Sequence, residues 1–568
     1  MNQRRDCSDP RDHPDQSVAG QALTPAKTAL AAAAALPPPA PVPSVAYHSQ
    51  GRTLVVGAAD AVMPVAAELA SALEVTALIT GVRRADASPA SAFRAITGRA
   101  VQAQGYLGNF AVRWRQDGLA DATPCVHEAT FDLILDLGSA PLFTMPQPPQ
   151  GYFAPGDDPR QLASALAEMR DAVGDFDKPR YFAYDAAICA HSRSKLEGCN
   201  QCIEICSTRA ISPEADRVKV DPHLCMGCGG CATVCPSGAM SYAFPTVDYM
   251  GERIKVMLAA FHAAGGSNAC LLLHDEVGGQ LVAELESEGG QLPERVIPLP
   301  LHHIASVGLD TALGAIVLGA NQLRVLSTGT EPVSYREAIA SQFGFGQTLL
   351  EALGYGARHF GLLEAKTRSD LQKALSTLEP ADRGPPTAAF RLFDRKRTTL
   401  WFAIDHLAAN APGRRQTVLM PAGAPFGAIE VNRKTCTLCM ACVGACPENA
   451  IVDGRDRPQL RFIEANCVQC GLCERACPED AISLVPRVSL SETAKREIVL
   501  NEDAPFRCIR CGKEFATSRM IDNMVDRLAG HSMFASPDAL KRVRMCADCR
   551  VIDMMEKQGE VSIFELKR

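Results

Sequence analysis

The stretches CTLCMACVGACP at 436–447 and CVQCGLCERACP at 467–478 decide how this chain is read. Both have the spacing C-x2-C-x2-C-x3-C-P: Cys436, Cys439, Cys442 and Cys446 before Pro447, then Cys467, Cys470, Cys473 and Cys477 before Pro478. Three cysteines this close together wrap a short loop around one face of an iron–sulfur cubane, and loop N–H groups can point at its sulfides. The fourth cysteine lies one turn further, where the chain turns away, and reaches the other cluster of the pair. The spacing therefore predicts one [4Fe–4S] ligand set of Cys436, Cys439, Cys442 and Cys477, and a second of Cys467, Cys470, Cys473 and Cys446. Zinc or purely structural cysteines are the competing reading, and two full copies of the spacing weigh against it.

A near copy lies upstream. Cys225, Cys228, Cys231 and Cys235, followed by Pro236, complete the same spacing. The partner run keeps Cys199, Cys202 and Cys206, but Leu196 stands where its first cysteine belongs and Ser207 where the proline belongs. The crossed rule makes Cys225, Cys228, Cys231 and Cys206 a complete set. It leaves Cys199, Cys202 and Cys235 one ligand short. Cys189 lies just upstream, and the polar segment 191–198 is long enough to fold back. Three outcomes compete: Cys189 completes a [4Fe–4S] cluster, the site holds a three-iron cluster, or it is empty. An isolated cysteine this close to an incomplete set favours the first. The plain alternative is a small buried hydrophobe, a common fate of free cysteine.

Four further cysteines form two isolated pairs, Cys508-x2-Cys511 and Cys546-x2-Cys549. Two such knuckles suit a tetrahedral S4 metal site, each giving one edge, with a helix over about 518–530 filling the gap. Zinc is the first expectation and a single iron the second. A redox C-x-x-C is a third reading, against which the second pair argues. Arg507, Arg510, Lys541, Arg542 and Arg544 lie nearby, either offsetting thiolate charge or forming a solvated face. Cys7, Cys125 and Cys270 receive no role. His302 and His303, adjacent in a predicted helix, point about 100° apart and are poor joint ligands.

Between the modules the pattern is α/β. The chain's 568 residues suggest about three or four domains. Residues 1–50, polar and then Ala/Pro-rich, read as a disordered lead-in. In 51–180, buried strands are predicted over 53–57, 75–79 and 131–137, with a helix over 62–73, forming a parallel sheet. Gly57 ends the first strand without a G-x-G-x-x-G loop, so a plain structural turn outweighs a nucleotide site. The first cysteine module occupies 181–246. A second α/β domain follows over 247–420, with strands at 269–273, 295–299 and 315–318 and a helix at 302–313. The second module spans 421–490 and the metal-binding tail 491–568. The fold class is thus multidomain α/β: two twin-cluster modules, parallel-sheet domains and a C-terminal metal knuckle.

Composition excludes several functions. The 23 cysteines sit mostly in tight pairs within a long chain, which fits metal binding better than a disulfide framework. Net charge is −7, so nothing points to nucleic acid. No apolar run is long enough for a transmembrane helix. Arg4-Arg5 precede acidic residues instead of an apolar stretch, which argues against an export signal and for a cytoplasmic protein. Nor is there a nucleotide fingerprint, phosphate loop or nucleophile elbow, so no substrate-transforming site is legible.

The cysteine modules resemble two-cluster bacterial ferredoxin domains. PERV at 293–296 through GAIVLGANQLRV at 314–325 is similar to the delta subunit of methyl-viologen-reducing hydrogenases. That family carries a cluster in this domain, which Cys270 alone cannot hold, so only a docking role is implied. The incomplete first run, with CIRCGKEF at 508–515 and MCADCRVIDMM at 545–555, resembles large 4Fe–4S proteins that accompany proteobacterial formate dehydrogenases. This resemblance implies formate dehydrogenase as redox partner, in electron relay or in maturation of a molybdenum or tungsten enzyme. The first expectation is a cytoplasmic relay of single electrons through up to four [4Fe–4S] clusters, provided the fold brings the modules together. The alternative is an accessory maturation protein. A reductase with an organic cofactor is a third, weaker reading.

Overall fold

The computed structural model describes residues 23–81, 92–116 and 126–556. Its N-terminal sheet is built on Arg52–Ala58, whose residues 53–57 are all buried. That continuous apolar run suits a strand covered on both faces. Glu74–Thr80 and Leu133–Leu137 flank it in parallel, with the helix Ala59–Leu69 packed alongside. Gly57 has φ +153°, and a Cβ there would lie 2.9 Å from the carbonyl oxygen of Leu137. Close strand packing thus accounts for this glycine. Three parallel strands were legible, but the extension was not: Arg94–Tyr106 joins Glu74–Thr80 in parallel, and Asn109–Gln116 and Val126–Phe131 follow antiparallel. Arg94–Tyr106 and Val126–Phe131 are exposed or half-buried at nearly every position and lack an apolar period, although Phe110, Val112 and Trp114 alternate inward on the strand between them.

Asp132, almost fully buried, holds the start of the central strand. It accepts from the backbone N–H of Gln50 (2.9 Å) and Arg52 (3.0 Å), and from Arg52 Nη2 (2.6 Å). Burial alone would raise this carboxyl, but the Arg52 contacts and backbone donors more than offset it and hold it below the usual range. The stabilisation is therefore present above the unfolded carboxylate pKa and is lost as pH falls through the lower folded value. Arg52→Ala is expected to destabilise this domain by about 2 kcal/mol at neutral pH. Urea unfolding should show the gap from wild type shrinking in acid.

Residues 23–50 correct the expected disordered lead-in. Thr24 caps the helix Pro25–Ala34, and Ala29 is fully buried against the helix Val247–Ala263. The alanine run supplies both helix propensity and a flat packing face. Ser44–Ser49 pairs with Gly174–Pro179 as a two-stranded arm.

The middle domain has a four-stranded parallel sheet in the order Val296–Pro300, Cys270–His274, Gln322–Ser327, Phe360–Glu364. Two expectations fail here. Residues 315–318 are not a strand, and 302–313 is not one helix. A short turn at Ile304–Ser306 is followed by the helix Leu309–Val317, in which every residue is buried. A helix buried on all faces loses its amphipathic period and reads like a buried strand. Cys270 is fully buried, and burial pushes its thiol up to about 11. Among the described residues no helix is long and apolar enough to cross a membrane. Cys7 and Cys125 lie outside the described residues.

Candidate iron–sulfur and metal sites

Each complete cysteine run folds the same way. The two residues flanking its middle cysteine adopt positive φ: Gly227 and Gly229 around Cys228, Leu438 and Met440 around Cys439, Gln469 and Gly471 around Cys470. Such left-handed residues turn successive N–H groups inward, making an anion-binding nest. For Leu438 and Met440 this costs about 1–2 kcal/mol each, a local strain that a bound anionic cluster would offset.

The cysteines of these runs gather around three cavities. One cavity is lined by Cys206, Cys225, Cys228 and Cys231 (site A). Another is lined by Cys446, Cys467, Cys470 and Cys473 (site C). A third is lined by Cys436, Cys439, Cys442 and Cys477 (site D). The returning cysteines accept similar backbone hydrogen bonds: Ala210 N–H to Cys206 Sγ (3.2 Å), Ala450 to Cys446 (3.3 Å) and Ala481 to Cys477 (3.3 Å). Four soft thiolates around one cavity, with inward N–H groups, are the donor set a [4Fe–4S] cluster needs.

Cys189, Cys199, Cys202 and Cys235 gather at a fourth position, site B. Cys189 and Cys235 both act on the Cys199 and Cys202 thiols, which burial drives upward, Cys199 to about 11. The backbone at Cys189 matches that of a complete run. It caps the short turn Ala186–Ile188 with φ −72° and ψ 128°. Cys467, first cysteine of a complete run, caps Glu464–Asn466 with φ −72° and ψ 127°. Cys189 thus occupies the structural place of a first cysteine. The extra residues form a hairpin in which Ser192–Arg193 pairs with Leu196–Glu197. It closes through Gly198 N–H to His191 O (2.6 Å) and Cys199 N–H to Ala190 O (2.8 Å), returning the chain beside Cys189. Leu196 is not a displaced ligand but a member of an apolar seam with Ala190, Ala445 and Leu472.

That seam joins the two modules. A Cβ on Gly198 would lie 2.9 Å from Leu472 Cγ. Arg475 donates to the carbonyl of Glu197, 278 residues away. Cys199 is among the charges that act on Cys470, whose thiol burial pushes up to about 12. Cys202 acts in the same way on Cys231, and Cys442 on Cys473. The sites therefore follow one another as A, B, C, D.

Three cations, Lys178 and Lys396 buried and Arg397 partly so, support the cluster loops, and none was legible in the sequence. Lys178 donates to the carbonyls of His223 (2.7 Å) and Cys225 (2.8 Å) beside site A. Lys396 donates to Ala232 O (2.8 Å) and Thr233 O (2.7 Å). Arg397 donates to Ala465 O (2.7 Å) and Cys467 O (3.3 Å) beside site C. Burial pushes Lys178 down to about 8 and Arg397 to about 10. An anionic cluster alongside favours their charged forms. They come from elements far away in the chain, so no local spacing marks them. His302 stacks on Tyr181, and His303 Nδ1 accepts from the Ala305 N–H, so neither is a joint ligand.

The tail site differs in scale. Cys508, Cys511, Cys546 and Cys549 have their sulfurs within 4.8 Å of one another, and Cys511 and Cys546 Sγ are 3.7 Å apart. A tetrahedron of ~2.3 Å Zn–S bonds has S···S edges of about 3.8 Å, so the set suits one metal ion instead of a cubane. Burial opposes ionisation of Cys508, but N–H groups of Cys546, Cys511 and Arg510 overcome it and bring the thiol down to about 6. The first knuckle tops the hairpin Pro505–Arg507/Glu514–Thr517, and the second opens the helix Ala547–Glu556. The expected intervening helix is Ser518–Leu528. Arg507, Arg510 and Arg542 pair with Glu514, Glu556 and Asp553. The tail is fastened to site D through Thr517 Oγ1–H to Thr437 O (3.0 Å) and Arg519 to Cys436 O (3.2 Å).

Comparison with known families agrees with these loops. Residues 197–239 and 435–482 each match the 4Fe-4S dicluster domain. The chain carries two dicluster domains. It is 51% identical over 47 residues to indolepyruvate oxidoreductase subunit IorA of Thermococcus kodakarensis, covering 8% of this chain and 7% of that protein. It is 45% identical over 40 residues to hydrogenase-4 component A of Escherichia coli K12, covering 7% and 20%. It is 38% identical over 54 residues to a ferredoxin, "Ferredoxin 7Fe", of Hydrogenibacillus schlegelii, covering 10% and 64%. The chain thus spans less than two thirds of each relative. An iron–sulfur electron-transfer function follows from the two domains and these relatives.

Proposed function

We propose that this chain relays single electrons along four sites, A to D, between a partner oxidoreductase and a second carrier in the cytoplasm. The observation that supports this reading most is the seam where Gly198 packs on Leu472 and Cys199 acts on Cys470. It meets the condition that the two modules be close. When bound, a [4Fe–4S] cluster supplies reversible one-electron storage. The chain's residues do the rest. Sixteen cysteines hold four such groups: Cys206, Cys225, Cys228, Cys231; Cys189, Cys199, Cys202, Cys235; Cys446, Cys467, Cys470, Cys473; and Cys436, Cys439, Cys442, Cys477. Lys178 and Arg397 offset their negative charge, and the apolar seam keeps water from the B–C junction. Exposed Cys439 makes D the end open to a partner. The tail cysteines hold zinc, in the role of a clasp over site D and not of a carrier.

Formate dehydrogenase is the proposed partner, on the resemblance of the incomplete first run and the tail to proteins that accompany it. The test uses purified formate dehydrogenase with formate, and this chain as sole acceptor. Wild type should bleach throughout its iron–sulfur absorption. Cys470→Ser, with the fold intact by circular dichroism, should stop reduction at one module. Full bleaching of the variant at the wild-type rate would sink the relay, and no bleaching of wild type would sink this choice of partner.

A further inference from the structure

Ser207 replaces the proline that ends each complete run, and the structure gives that exchange a use. Its Oγ lies 2.7 Å from Gln147 Oε1, in the N-terminal domain, and meets the hydroxyl of Tyr335. Tyr335 is fully buried in the first turn of the helix Val333–Ala352, in the middle domain. Its hydroxyl donates to Cys228 Sγ at 3.1 Å. This is closer than Gln469 Nε2 to Cys467 Sγ at site C (3.3 Å) or Ser237 Oγ to Cys235 Sγ at site B (3.7 Å). Three domains therefore converge on one sulfur of site A.

The chemistry orders the network. A metal-bound thiolate only accepts, so Tyr335 must donate to Cys228. Tyr335 has one hydroxyl hydrogen, so Ser207 must donate to Tyr335. Ser207 is then left to accept, and Gln147 must turn the NH2 of its amide towards it. Amide orientation is set by such a network and can turn over without moving heavy atoms. Proline at 207 has no hydroxyl and would break the chain at its middle link.

We propose that Tyr335, oriented by Ser207, is a positioning residue that raises the reduction potential of site A relative to the other three. The inference rests on the reading of Cys206, Cys225, Cys228 and Cys231 as a cluster site. Reduction adds one electron and one negative charge there. A hydrogen bond to the ligand sulfur stabilises the more negative state, and potentials in this class depend on such bonds. No proton is transferred, because the hydroxyl hydrogen stays on Tyr335. Site A thereby becomes the electron sink at one end of the row.

The test is an EPR-monitored potentiometric titration of the full chain with its clusters, with no partner present. Tyr335→Phe should move one of the four midpoints to more negative potential and leave the others unchanged. The moving component should be the one that Cys228→Ser also alters. Ser207→Ala should move the same midpoint the same way by less, and the double variant should match Tyr335→Phe alone. Unchanged midpoints in Tyr335→Phe at full iron content would overturn the proposal. If that variant loses iron, Ser207→Ala decides: a shift supports the proposal and no shift overturns it. Electron delivery from a dehydrogenase is not read here, so loss of the relay reading would leave this result standing.

Discussion

Cys189→Ser should remove one complete cubane and leave three. Site B would be left with Cys199, Cys202 and Cys235, the three thiols that the crossed spacing places together. Two products are chemically open to that set. If the site empties, iron and sulfide each fall by about a quarter; if it keeps a three-iron centre, iron falls by about one per chain and an oxidised EPR signal appears. Both differ from the outcome for a merely buried cysteine, which is unchanged iron. The basis is geometric. Cys189 and Cys467 cap equivalent turns with φ and ψ equal to within a degree, and the 190–199 hairpin returns the chain to its side. Because B lies between A and C, the loss should also slow electron passage between the modules. Unchanged iron content together with unchanged EPR would refute the assignment.

Removing the tail metal should unfold the tail and spare the clusters. Among the described residues, the hairpin at 505–517 and the helix Ala547–Glu556 share a small core of Cys508, Phe515, Met545, Cys546 and Cys549, in which the cysteines are most of the buried material. So few apolar contacts cannot order about fifty residues on their own. Structural zinc in comparable knuckles contributes about 10–16 kcal/mol of apparent binding energy at neutral pH. A chelator, or Cys546→Ser, is therefore expected to abolish protease protection of residues 505–556. The visible iron–sulfur spectrum should persist, since sites A to D share no ligand with the tail. Metal analysis should return one zinc per chain; iron in its place would change the metal and not the clasp. Tail protection that survives complete removal of the metal would contradict this account.

How far each feature could be read depended on its reach. The ligand loops were legible because each is a dozen residues long and its spacing is dictated by the cluster it wraps. The tail knuckles were legible for the same reason, and the fold brings their four sulfurs within 4.8 Å of one another. The buried helix Leu309–Val317 was misread as part strand because complete burial erases the helical period. The helix Pro25–Ala34 was missed because an Ala/Pro-rich segment shows no amphipathic stripe until a partner surface exists for Ala29. Lys178, Arg397 and Tyr335 were invisible because a lysine, arginine or tyrosine acquires its role from the sulfur or carbonyl it meets. Ser207 was noticed as a departure, yet its partner lies 128 residues away.

For the paired cysteine runs at 436–447 and 467–478, the sequence alone determined the kind of centre and pointed to the cysteines that line each cavity. Thiolate spacing on a short loop leaves little else for the chain to do. The tertiary structure decided what the runs become together. It set Cys189 beside Cys199 through a hairpin, laid Gly198 against Leu472, and drew a tyrosine from a distant helix onto Cys228. The last two contacts join segments more than a hundred residues apart, and spacing along the chain carries no record of them.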